Sequence, residues 1–183
     1  MNRPFSSLLQ DMKLPGHRSV VQHWLDLHDS SGGKIPRRRD IDPMQFPVAL
    51  PDVWIVDAEP GDIFRFHLAG QNMVDWLGRS PKGLAFHDIY PPDRLAFVNM
   101  MTKQVLERPA ACYHKMESLT RHWSMPIPVE RIALPLAGDD GRICHMFGAT
   151  VFHSRHGHGD GATETQVSLE WWYQIPPATG PHE

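Results

Sequence analysis

The densest run of metal-ligating side chains in the chain is HSRHGHGD, where His153, His156, His158 and Asp160 stand close together. Neutral imidazoles beside a carboxylate form a donor set for zinc or nickel. Glycines interleave with these residues, so ordering them around an ion would cost backbone entropy. The run therefore reads as part of a polar linker over residues 153–165. Carboxylates for acid–base work are present but scattered: Asp57, Asp75 and Asp88 show no recognisable pairing. Asp75, next to Trp76, is the candidate if a small cavity uses one buried carboxylate as a general base. Cys112 and Cys144 are far apart and lack C-x-x-C spacing, so they read as free thiols in a reducing cytoplasm. No G-x-S-x-G elbow, Walker loop, H-E-x-x-H or G-x-G-x-x-G occurs. The expectation is a protein without catalytic residues, and not an enzyme.

The stretch PRRRDIDPMQFP, residues 36–47, raises a second chemistry. Arg37, Arg38 and Arg39 would suit phosphate contacts. Asp40 and Asp42 partly neutralise them, and within PRRRDIDP no aromatic residues interleave with the arginines to stack on bases. With a formal net charge of −3, the chain lacks the basic footprint of a general nucleic-acid binder. Prolines at 36, 43 and 47 fix φ and extend their predecessors. The segment reads as a stiff strap, held by arginine–aspartate pairs, that leads into the first strand.

These residues must be positioned by elements that the patterning outlines. Hydrophobic residues make up 41% of the 183, enough for a real core. The N-terminus has no uninterrupted apolar h-region and no stretch approaches a membrane span, so the chain reads as soluble and cytoplasmic. Residues 1–17 read as a flexible arm ending near Pro15-Gly16. SVVQHWLDLHD has helical periodicity, with Ser19 as its N-cap. DVWIVDA and IFRFHLAG are strands joined by the turn EPGD. QNMVDWLGRS is a short helix closed by Gly78, and PPDRLAFVNMMTKQVLER a longer one starting at its prolines. AACYHKMESL, VERIALPLAG and RICHMFGATVF are three further strands, the last two joined through GDDG. The aromatic end VSLEWWYQI, within 166–183, should dock on its own domain or on a partner.

This order, with the stretches HWLDLHD, IPRRRDIDPMQFPVALPDVWIVD, FRFHLAG and RIALPLAGDDGRICHMFG, resembles the PAS-domain superfamily. Specifically, it resembles a stand-alone bacterial PAS-like family long catalogued as a domain of unknown function. The resemblance spans roughly residues 20–152 and implies an α+β domain over 18–152. Its sheet would have five antiparallel strands with helices on one face, plus an N-terminal helical extension. It also implies a cavity between sheet and helices, lined here by Trp54, Phe66, Met73, Trp76, Phe97, Met101 and Met146. A methionine-rich wall suits a small apolar or amphipathic ligand. His67 and Gln71 depart from the family pattern, which usually has an arginine and a small hydroxyl residue there. No cofactor is expected. AGQNMVDWLGR lacks the reactive cysteine of a flavin photosensor, and only His87 and His114 are conceivable haem ligands.

The resemblance implies a sensory or regulatory module that signals through noncovalent contacts, as a homodimer or with a partner protein. The N-terminal helix is either its dimerisation element or packs on its own domain. A ligand-free interaction module and a small acid–base enzyme are the alternatives.

Overall fold

A computed structural model describes residues 1–120, 127–153 and 162–178. The strands are β1 (Asn2–Arg3), β2 (Val53–Glu59), β3 (Ile63–Ala69), β4 (Ala110–Thr120), β5 (Ile127–Ala137), β6 (Ile143–Phe152) and β7 (Ala162–Gln174). The helices are α1 (Leu8–Asp11), α2 (Pro15–Ser30), α3 (Gln71–Leu77) and α4 (Pro92–Glu107). All strands join one sheet in the order β1-β7-β4-β5-β6-β2-β3. Every pairing is antiparallel except β1 with β7. The α+β class is as expected, but the sheet has seven strands, not five. The additions are β7, which pairs along β4, and β1, which pairs with β7. Without β7, strand β4 would be an open edge, and aromatic residues 171–173 fill that place.

Alternation along β5 splits the interior in two. Ile132, Leu134 and Leu136 face a core built with Val20, Val21 and Trp24 of α2. Ala133 faces a second core with Met73 of α3 and Met101, Val105 and Leu106 of α4. Helix α2 therefore buries its apolar stripe on its own sheet, and the Trp24 indole N–H donates to the Pro135 carbonyl at 2.9 Å. It begins at Pro15, four residues before the expected cap Ser19, because proline is pre-organised for the first helical position. The Ser19 hydroxyl instead donates to the Gly16 carbonyl.

The N-terminal segment differs from the expected flexible arm. Leu8 and Met12 are fully buried. The Asp11 carboxylate gathers Arg3, the Ser7 hydroxyl and the Tyr173 hydroxyl, which ties β1, α1 and β7 together. At the other end of the chain, residues 162–165 of the expected linker belong to β7, while 154–161 lie outside the described residues.

The strap runs as three short 3-10 turns, Arg38–Asp40, Pro43–Gln45 and Pro47–Ala49. Asp42 caps the second turn by accepting from the Met44 N–H, and the Asp42 N–H donates to His23 of α2. Arg38 approaches Asp57 of β2 at 3.7 Å and Arg39 approaches Asp139 at 3.4 Å. The arginines thus reach carboxylates outside the strap as well as Asp40 within it. Strand β5 runs past the end of its pairing with β4, which stops at Ala133. There the strap closes in, the Ala137 N–H donating to the Pro36 carbonyl at 2.8 Å.

Candidate functional site

Between the sheet and helices α3 and α4 lies a cavity that encloses about 80 Å³ open to the centre of a water-sized sphere. That is more than a single water requires, so the space can take a small molecule. Strands β2, β3 and β6 place Trp54, Phe66 and Met146 on its wall, because alternate residues of each strand face inward. Helix α3 brings Met73 and Trp76, three residues apart on one face, and α4 brings Phe97 and Met101 at i, i+4 spacing. All seven residues named from the sequence therefore line one cavity.

The positions of Trp54 and Gly148 are interdependent. Gly148, on β6 opposite Trp54, leaves room for the indole: a Cβ there would lie 2.4 Å from the ring and 2.1 Å from the Ile132 carbonyl oxygen. The Trp54 indole N–H then donates to the Thr150 hydroxyl at 2.8 Å. Thr150 also accepts from Arg131 Nε at 3.0 Å, and the Arg131 guanidinium lies 5.8 Å from the Trp54 ring centre.

Arg131 is the polar wall residue that sequence reasoning missed. Along VERIALPLAG, the alternation of Ile132, Leu134 and Leu136 marks one core face and says nothing of what covers the other. In a sheet covered on both sides, that face holds Val129, Arg131 and Ala133. The available signal was an arginine with apolar neighbours two residues away on either side. Arg94 of α4 and Thr102 also line the cavity and were not expected.

Cys112 and His114 stand on neighbouring inward positions of β4, with the sulfur 2.7 Å from His114 Nε2. Burial, with Arg131 close by, pushes the His114 pKa down to about 3. Burial also pushes the Cys112 thiol well up. Both groups are neutral near pH 7. His87, the other conceivable haem ligand, lies outside the cavity beside Asp88.

Several residues singled out from the sequence sit elsewhere. Asp75 is exposed and accepts from Gln71 at 2.6 Å. Asp88 accepts from the Ala85 N–H at 2.8 Å. Asp57 meets His145 at 2.7 Å and His67 at 3.1 Å on the sheet face opposite the cavity. His67 and Gln71, the two departures from the family pattern, are thus both outside the cavity wall. His153 meets Glu130 at 3.1 Å, whereas His156, His158 and Asp160 lie outside the described residues. Among the described residues, no group of three His, Cys, Asp or Glu could hold a metal ion. Among them also, no helix is long and apolar enough to cross a membrane.

The site has the architecture of a ligand-sized core pocket roofed by helices on an antiparallel sheet. Residues 12–151 match the PAS domain family, and the chain belongs to it. Among solved structures, it is similar to the light state of the Aureochrome1 LOV photoreceptor domain. Identity there is 15%, with 59% of this chain and 85% of that chain covered and a TM-score of 0.41. The PAS domain of Bordetella pertussis BvgS is 14% identical, with 63% and 90% covered and a TM-score of 0.37. A sensory box histidine kinase/response regulator from Burkholderia thailandensis E264 is 16% identical, with 61% and 85% covered and a TM-score of 0.35. No curated protein matches the chain.

Proposed function

We propose that this protein is a non-enzymatic sensory module whose cavity binds a small apolar or amphipathic ligand and whose occupancy alters contacts with a second copy or a partner protein. The observation that carries this reading is the cavity between sheet and helices. Its walls are largely aromatic and methionine side chains, and Met73, Met101 and Met146 can repack around different shapes. A ligand that fits one arrangement of sheet and helices better than another shifts the population between them.

The acid–base alternative draws little support from the titratable groups. Asp75 is solvent-exposed, and His114 is a poor base at neutral pH because burial holds it down to about 3. The apolar face of α2 is engaged on its own sheet, so in this arrangement the contact that transmits the signal uses other surfaces.

Native and denaturing mass spectra of the same purified sample, with its absorption spectrum, test the reading. A mass excess that disappears on denaturation is expected, without visible absorbance. Protein that is ligand-free in both spectra, and whose association state does not respond to a library of small apolar compounds, would sink it in favour of a ligand-free interaction module.

A further inference from the structure

We infer that the cavity's ligand is a small carboxylate: an apolar ring or short chain whose acid group is held by Arg131. The inference rests on the sensory reading above and names the class of molecule sensed.

Charge balance is the first observation. Arg131 and Arg94 both line the cavity, and none of its described lining residues is an aspartate or glutamate. Glu170, on the same sheet face, accepts from the Trp172 indole N–H; it keeps its charge but does not line the cavity and makes no ion pair with Arg131 among the described residues. Among the described residues, Arg131 has no ion-pair partner. A guanidinium on an apolar wall without a counter-charge is unfavourable until an anion meets it.

Geometry narrows the anion. The buried Thr150 hydroxyl fixes Arg131 through Nε, and Thr150 is itself held by Trp54. The two Nη groups have no hydrogen-bond partner among the described residues. A planar carboxylate can accept from both at once, which is the favoured pairing for arginine.

The remaining polar inventory agrees. The Trp76 indole N–H is buried and lacks a partner. Trp76 stacks on Phe152, at 5.3 Å between ring centres. On β6, Phe152 is two residues beyond Thr150, which places this second donor about 7 Å further along the cavity face. Buried polar groups are almost always hydrogen-bonded, so an orphan donor on a cavity wall points to an acceptor that the ligand supplies. The cavity thus offers donors to its ligand and no carboxylate. Its size restricts the ligand to a small molecule.

Calorimetric titration of the purified protein with hexanoate and benzoate, each paired with its uncharged amide, tests the inference. At least one acid should bind about tenfold tighter than its amide. Arg131→Met should abolish that preference and leave amide binding unchanged, and Arg131→Lys should restore part of it. Equal affinity for acid and amide would overturn the inference, as would a preference that survives Arg131→Met. If Arg131→Met fails to fold, the acid–amide comparison in the natural protein decides alone. If none of the four compounds binds, the inference falls. A neutral co-purified ligand in the native spectrum would then still uphold the sensory reading, whereas ligand-free protein would sink both.

Discussion

Gly148 is where a single atom has the largest consequence. An alanine methyl would collide with a backbone carbonyl oxygen and with the Trp54 ring, and neither can yield cheaply. Gly148→Ala should destabilise the fold by about 3 kcal/mol, read as a lowered urea midpoint. A loss below about 0.5 kcal/mol would show that both Trp54 and the Ile132 carbonyl can shift. His17 makes a different prediction. It is fully buried, and neither ring nitrogen makes a hydrogen bond of good geometry. Burial lowers its pKa to about 4, so it is neutral in the folded state at pH 7. The unfolded chain takes up that proton near pH 6.5. Stability from this group is therefore full above about pH 6.5 and lost as pH falls toward about 4. His114 acts in the same direction, down to about 3. Urea midpoints at pH 6 and pH 5 should show His17→Leu flattening the decline by about 1.4 kcal/mol per pH unit. An unchanged slope would mean that His17 reaches water in the folded protein. The cavity's apolar residues were legible from residue type and period, but Arg131 was not. A charged side chain on an alternating strand looks the same whether its face meets water or a second layer.

At the scale of elements, the Asp11 carboxylate is the joint of the N-terminal segment. Burial pushes its pKa up, but hydrogen bonds from Arg3, Ser7 and Tyr173 outweigh this and hold it below the usual carboxylate range. Asp11→Ala should cost about 2–3 kcal/mol because it leaves the Tyr173 hydroxyl and Arg3 without their acceptor. Tyr173→Phe should cost about 1 kcal/mol. Equal losses from the two variants in urea unfolding would contradict a shared hub. Helices α3 and α4 could be read within a few residues because Gly78 and Pro92 mark their ends. Helix α2 was placed too late, because Pro15-Gly16 reads equally as a break and as a start. Strand β7 reads only as a docking segment because nothing local specifies its partner: its pairing with β4 bridges residues more than forty positions apart, such as Cys112 and Trp172.

For the whole molecule, one sheet serves as the wall of two cores, and that explains the pattern of what could be foreseen. The cavity side follows the family resemblance closely. The opposite side is built from pieces far apart in the chain: α1, α2, the strap and residue Tyr173. Their mutual packing leaves no local period to read. The same arrangement bears on how a signal could leave. Beyond its pairing with β4, strand β5 would present bare peptide groups, and two unlike elements cover them: the Trp24 indole at Pro135 and the strap carbonyl of Pro36 at Ala137. Pro135 contributes no N–H of its own, which already makes this margin a poor template for another strand. Helix and strap together thus cover a sheet margin, and pulling α2 away would uncover the Pro135 carbonyl as well as an apolar face. A conformational response in which α2 leaves its seat therefore exposes the apolar core face it covers, and with it a hazard of aggregation; responses that keep it seated escape that hazard.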